Sequence, residues 1–219
     1  MIFYSASFLE TAPFMQGEIR VVRHPDQMVE DGVLVLWGGE DINPDIYNHP
    51  RHPFTGRASP RDDVEVALAK HAIDKGMPIV GICRGAQLLC ALAGGSLIQD
   101  VRGHAGAYHL VRDVRTEELT VVNSLHHQQL FLEEMPKDAY ELLAVAAFDE
   151  HLPKNCVGNN HTWKQGERVA VHYEPEAVWF PKIKGLAIQW HPEYLNDNHL
   201  SQVYVQQLFD EFIGVTENV

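Results

Sequence analysis

Cysteine is scarce in this chain: Cys83, Cys90 and Cys156 are the only three among 219 residues. An odd number without disulfide spacing excludes a disulfide-stapled scaffold and fits a reducing compartment. Cys83 and Cys90 fall on or beside one predicted helix, roughly 10 Å apart along its axis, too far to be bridged. Positive charge is also scarce, with 17 Lys and Arg against 30 Asp and Glu and a formal net charge of -13. A nucleic-acid surface needs clustered Lys and Arg to displace counterions, so nucleic acid is excluded as a partner and small metabolites or another protein are expected. No stretch reaches the ~18 apolar residues of a membrane-crossing helix. The start Met1-Ile2-Phe3-Tyr4-Ser5-Ala6 lacks the basic region of a secretory signal, so a cytoplasmic location without membrane attachment is expected. Neither Gly-x-Gly-x-x-Gly nor a Walker motif occurs, which argues against nucleotide cofactors and ATP. His is abundant, but His104, His109, His126, His127, His161 and His172 form no Cys/His cluster and no His-Glu-x-x-His helix with ligand spacing. On that pattern no metal site and no cofactor are expected.

Hydrophobic residues make up 45% and charged residues 21%, and no internal repeat or low-complexity run interrupts them. Such a chain fits one α/β domain over residues 1–219. Strands are expected at Ile2 to Ser5, Ile19 to Arg23, Val33 to Trp37, Pro78 to Ile82, Leu119 to Val122, Val169 to Tyr173, Ala177 to Phe180 and Leu186 to Trp190. Several are continuous apolar runs, the mark of strands covered on both faces. Between the third and fourth, Ser59 can cap a helix with Pro60 in its first turn, Asp62 and Asp63 against the dipole, and Gly76 at its end. Further helices are expected over about 84–93 and 198–212. Residues 148–168, with Pro153, Gly158, Asn159, Asn160 and Gly166 and little periodicity, predict an irregular loop insertion.

The most informative stretch is Pro78-Ile79-Val80-Gly81-Ile82-Cys83-Arg84-Gly85-Ala86-Gln87, which runs from a buried strand through Gly-x-Cys-x-Gly into a helix. Glycine on both sides of the cysteine permits a sharp elbow, on which the side chain stands clear of the backbone. The first amides of the helix favour a thiolate and can hold a developing oxyanion. Far downstream the strand Gly185 to Trp190 delivers His191, and Glu193 follows it. Cys83 as nucleophile, His191 as base and Glu193 as the orienter of the imidazole make a hydrolytic triad. Arg84 supplies the elbow amide for the oxyanion. Gln87, one turn after Cys83 on the same helix face, can offer an amide to a substrate head group.

These residues resemble the nucleophile segment of class I glutamine amidotransferases, in particular the branch of γ-glutamyl hydrolases and γ-glutamyl-γ-aminobutyrate hydrolases. Three further blocks agree in order: Gly38-Gly39-Glu40-Asp41-Ile42-Asn43-Pro44, Asn123-Ser124-Leu125-His126-His127-Gln128 and Gln189-Trp190-His191-Pro192-Glu193. Together they extend over about 155 of the 219 residues. The resemblance implies a three-layer α/β fold of flavodoxin-like type: a mostly parallel central sheet, helices on both faces and a nucleophile elbow. It places a second oxyanion donor at Gly39, which the Gly38-Gly39 pair at the end of a buried strand supports independently. It also implies that Gln87, Ser124 and His127 contact a glutamyl group. Ala86 and Cys90 depart from the family's usual residues, and the region before Val33 is shorter than in most relatives.

The leading expectation is hydrolysis of the γ-amide of glutamine or of a γ-glutamyl conjugate, through a thioester, giving glutamate and ammonia or an amine. Alternatives are a glutaminase subunit passing ammonia to a synthetase partner, a non-catalytic glutamyl-binding protein, and a cysteine protease or glyoxalase of related fold. The intact Cys83, His191 and Glu193 weigh against the third, and the His-x-Glu and Asn-Ser-x-His-His-Gln blocks against the fourth.

Overall fold

The computed structural model describes residues 1–6, 11–101, 104–147, 173–194 and 199–214. Eleven strands and three α-helices occur among them. In chain order the strands are β1 (Ile2–Ser5), β2 (Glu18–Val21), β3 (Val33–Leu36), β4 (Ile79–Ile82), β5 (Ser96–Ile98), β6 (Ala107–Asp113), β7 (Leu119–Ser124), β8 (Gln129–Phe131), β9 (Glu141–Ala147), β10 (Pro175–Phe180) and β11 (Gly185–Ile188). The helices are α1 (Pro60–Asp74), α2 (Arg84–Leu92) and α3 (His199–Phe212). Nine strands form one sheet in the order β2-β1-β3-β4-β11-β10-β9-β6-β7, and β5 and β8 pair separately.

The sheet changes character at β11. From β2 to β11 neighbouring strands are parallel. From β11 to β7 they are antiparallel. The mostly parallel sheet expected from the sequence is therefore the half that holds the elbow, joined to an antiparallel half built from β6, β7, β9 and β10.

Alternation along the central strands divides the core into two layers. Leu34, Leu36 and Ile79 pack with Leu68 and Ala72 of α1 and with Leu88 and Leu89 of α2. Val33, Val35, Trp37, Val80, Ile82, Leu186 and Ile188 face the opposite way, onto Tyr204, Val205, Leu208 and Phe209 of α3. A slip of one residue in any of these strands would exchange the two layers, and each large aliphatic side chain moved out of the core costs about 1.5–3 kcal/mol. Burial on both faces thus fixes the register that brings the strand ends into line.

Helix α1 begins as the sequence predicts. Ser59 caps it in a capping box with Asp62, Pro60 occupies the first turn, and the chain leaves through Gly76 at φ +66. The expected strands before β4 match β1, β2 and β3 to within a residue or two. The sequence reading missed β5, β6, β8 and β9. The strand expected over 169–173 lies outside the described residues but for Tyr173, which is not in a strand. The loop expected over 148–168, with Cys156 and His161 in it, also lies outside them, as does His172.

Candidate active site

The carboxyl ends of three adjacent parallel strands converge on one point. β3 leads to Gly38-Gly39, β4 to Cys83 and β11 to His191, in the registers Leu36↔Gly81 and Ile82↔Ile188. This is the edge where α/β sheets bind their ligands.

Cys83 stands at the N-cap of α2 with φ 50 and ψ -104, a strained conformation for a residue with a Cβ. Its neighbours explain how that is held. A Cβ on Gly81 would run into the Gly85 carbonyl, and one on Gly85 into the Leu36 carbonyl. Both positions therefore need glycine for α2 to sit this close to β3 and β4. The Cys83 amide donates to the Ile188 carbonyl at 2.7 Å, and its carbonyl accepts the first helical bond from Gln87 at 3.1 Å. Only 7% of Cys83 is exposed.

His191 is buried beside it. Its backbone is clamped on both sides by Asn123, whose Oδ1 accepts from the His191 amide and whose Nδ2 donates to the His191 carbonyl, each at 2.9 Å. Nδ1 meets Oε1 of Glu193 at 2.7 Å, and Tyr194 stacks on the ring at 5.1 Å between centroids. Burial opposes the imidazolium, but the hydrogen bonds of Cys83 and Glu193 outweigh it and raise the His191 pKa from 6.5 to about 10. The Glu193 side chain is almost fully buried, with Oε2 unpartnered among the described residues. The structure brings together Cys83, His191 and Glu193, the three residues singled out by the sequence.

The oxyanion candidates are set by a buried ion network that the sequence did not disclose. Gly39 has φ +148, and a Cβ there would meet the guanidinium of Arg61. Arg61 donates Nη1 to the Gly38 carbonyl at 2.9 Å and Nη2 to the Trp37 carbonyl at 3.0 Å, and Nε to Glu65 at 2.6 Å. The other oxygen of Glu65 accepts from the Arg84 side chain, which also binds Asp62. Asp62 in turn accepts from the Asn43 amide at 3.1 Å. Four charged side chains, three from the first two turns of α1 and one from the start of α2, therefore tie the Gly38-Gly39 loop to the elbow. Asp62 and Glu65 lie on the same α1 face as Leu68, Ala69 and Ala72. Their spacing of three and four was a readable sign that this face is buried from end to end.

The proposed substrate contacts fall less uniformly. Gln87 is buried and donates Nε2 to the Gln128 carbonyl at 3.2 Å, and Gln128 donates to Thr55 at 3.3 Å. His127 is half-exposed, its Nε2 3.0 and 3.1 Å from the two oxygens of Asp41 and its Nδ1 3.9 Å from Asp100. Asp41 above all favours the imidazolium and raises its pKa, against partial burial. Ser124 is fully buried at the end of β7, its hydroxyl without a hydrogen-bond partner among the described residues.

The model of the family described as Peptidase C26 matches residues 15–135, which include the Gly38-Gly39 loop, the elbow and the His126-His127 block. The chain belongs to the Peptidase C26 family. A Mycobacterium tuberculosis protein named as a candidate glutamine amidotransferase is 46% identical over 105 residues, covering 42% of this chain and 34% of that protein. Protein NtpR of Enterococcus hirae is 29% identical over 202 residues, covering 82% of this chain and 73% of its own length. The crystal structure of a glutamine amidotransferase from Thermotoga maritima superposes with a TM-score of 0.55 at 14% identity, covering 98% of this chain and 85% of that one. This Peptidase C26 chain thus has the class I glutamine amidotransferase fold, and several of the relatives it matches carry glutamine amidotransferase in their names. The chain spans only a third of the Mycobacterium tuberculosis relative. No helix among the described residues is long and apolar enough to cross a membrane.

Proposed function

We propose that this Peptidase C26 chain hydrolyses the γ-amide bond of glutamine or of a γ-glutamyl conjugate, with Cys83 as nucleophile. The observation that supports this most is the placement of His191, held at Nδ1 by Glu193 at 2.7 Å, at the end of the strand paired with the one that ends at Cys83. The Cys83 thiolate attacks the side-chain amide carbon, and the C=O π pair moves onto oxygen. Backbone amides of Arg84 and Gly39 hold that oxyanion. His191, as imidazolium, gives its proton to the leaving nitrogen as the C–N bond breaks, leaving a γ-glutamyl thioester and free ammonia or amine. A water then loses its proton to His191 and attacks the thioester, the C–S bond breaks, and glutamate and the Cys83 thiolate are released. Glu193 holds the imidazole in the tautomer that presents Nε2 to sulfur. Gln87, Ser124 and His127 bind the glutamyl group.

The test is to incubate the full chain with glutamine and with a panel of γ-glutamyl amines and to quantify glutamate. Release from conjugates well above release from glutamine supports a free-standing hydrolase, and no release from any of them would overturn the reading.

A second reading, a glutaminase that delivers ammonia to a synthetase partner, is favoured by one surface. Tyr108, Leu110, Leu119 and Val121 project from one face of the β6–β7 ribbon and are 70%, 37%, 55% and 41% exposed. Contiguous apolar surface of this kind is what a partner covers. Weak glutamine hydrolysis by the chain alone, with no conjugate turned over, would select this reading.

A further inference from the structure

Around the His126-His127 block the fold assembles a buried group that local sequence spacing does not reveal. His104 follows β5, His109 lies on β6, His126 follows β7, and Glu174 and Glu176 lie before and on β10. Oε1 of Glu176 faces three imidazole nitrogens: Nε2 of His109 at 3.2 Å, Nε2 of His126 at 3.7 Å and Nδ1 of His104 at 3.8 Å. The fully buried Glu176 carboxylate makes no hydrogen bond through either oxygen among the described residues, and neither do Nε2 of His126 and the two nitrogens of His109. Unsatisfied buried carboxylate and imidazole atoms aimed at one point are costly unless something occupies it.

Three features identify the occupant. Around a tetrahedral ion with ligands at ~2.0–2.1 Å, neighbouring ligand atoms stand roughly 3.3 Å apart, which is the scale of the separations at Glu176. The outward nitrogens of two rings are already engaged: His104 Nε2 lies 2.8 Å from Glu174 Oε2, and His126 Nδ1 lies 2.9 Å from the Gln128 carbonyl. A carboxylate or backbone carbonyl on the far nitrogen is how proteins orient imidazoles toward a metal. Finally, two carboxylates are buried here, and among the described residues neither has a Lys or Arg partner. A divalent cation with neutral imidazoles balances both.

We infer that His104, His109 and Glu176, with His126 as the fourth ligand, form a structural site for Zn²⁺ or a divalent ion of similar preference. The ligating atoms of the first three lie within 4.8 Å of one another, close enough for one ion to draw them in. Imidazole and carboxylate donors suit Zn²⁺ and Co²⁺, and the depth of the group leaves no open position for catalysis. The ion would tie β6 and β10 to the turn that carries His127 and the Gln128 carbonyl. None of Cys83, His191 and Glu193 takes part in the cluster.

Co²⁺ is the probe. The full chain, stripped with a chelator and titrated with Co²⁺, is expected to develop a visible absorption band of four-coordinate intensity that saturates at about one ion per chain and collapses on adding Zn²⁺. Its melting temperature should rise with Zn²⁺. Glu176→Gln and His109→Ala, checked for folding by circular dichroism, are expected to weaken Co²⁺ binding at least ~10-fold. His24→Ala, at an exposed His, should bind like the parent. Absence of a band in the unmodified chain would overturn the site, whatever the variants do. So would a folded Glu176→Gln that binds Co²⁺ as tightly as the parent, or a His24→Ala that loses binding equally.

Discussion

A Cβ placed on Gly38 would stand 2.5 Å from Cε1 of His191. The imidazole therefore occupies space that only glycine leaves, and the loop after β3 is shaped to the ring. Gly38→Ala is expected to push the ring or the loop aside and to lower kcat ~10²-fold, the usual cost of misplacing a reacting group by about 1 Å. The comparison is glutamate release beside a thermal melt. An alanine variant with parental turnover would mean that the ring has room to move without consequence.

Cys83→Ala is expected to abolish glutamate release while keeping the fold, because the elbow is held by Gly81 and Gly85 rather than by the thiol. A glutamine-derived electrophile such as 6-diazo-5-oxonorleucine should label Cys83 and spare Cys90, whose thiol burial pushes up to about 12. Peptide mass spectrometry after partial inactivation reads the ratio directly, and equal labelling would remove Cys83 from its assigned role.

The pKa of His191, raised to about 10, sets the expected pH dependence. A group whose folded value exceeds its unfolded one contributes stability fully below the unfolded value, here about 6.5, and loses it as pH rises through about 10. The imidazolium should thus persist across the neutral range, and the alkaline limb of kcat/KM should lie well above pH 7 as a property of the coupled pair. Glu193→Gln removes one of the supports and should move that limb to lower pH and reduce turnover. Proton NMR of the His191 ring should show the same downward shift in Cys83→Ala. An unchanged profile in Glu193→Gln would leave Glu193 without a part in the chemistry.

Arg84→Met is expected to destabilise the chain by about 3–5 kcal/mol, because Asp62 loses its cation and Glu65 keeps only Arg61, both carboxylates staying buried. Arg61→Met should act differently. It frees the Trp37 and Gly38 carbonyls at the loop's edge, so kcat should fall by up to ~10²-fold with little change in KM. Urea melts and steady-state kinetics on the two variants separate the effects, and equal destabilisation without a kcat loss in Arg61→Met would assign the pair to stability alone.

What the sequence disclosed was local chemistry, and what it hid was convergence. Glycines around Cys83 and the strand ending at His191 were readable because each is a short stretch whose residues dictate its own shape. β9, Glu141-Leu142-Leu143-Ala144-Val145-Ala146-Ala147, was not, since its Leu and Ala are good helix formers and pairing with β6 and β10 alone makes it a strand. Asp62 reads as a charge favourable to the start of α1, and only the packing of α2 against that turn shows its buried bond to Arg84. The His104, His109 and Glu176 group escaped for the same reason. Its members are far apart in the chain and meet only through the antiparallel half of the sheet.

The hydrogen bond from the Cys83 amide to the Ile188 carbonyl, at 2.7 Å, continues the ladder between β4 and β11 to its last rung. Nucleophile and base therefore ride on adjoining strands in the middle of the sheet, and no hinge or sliding motion can part them without opening its centre. Amide exchange at Cys83 should accordingly proceed only through global unfolding, and heat should extinguish activity at the temperature where the whole chain melts. Any gating of this site has to come from the loops around it, above all the one after β3, because the strands beneath it have no second position to adopt.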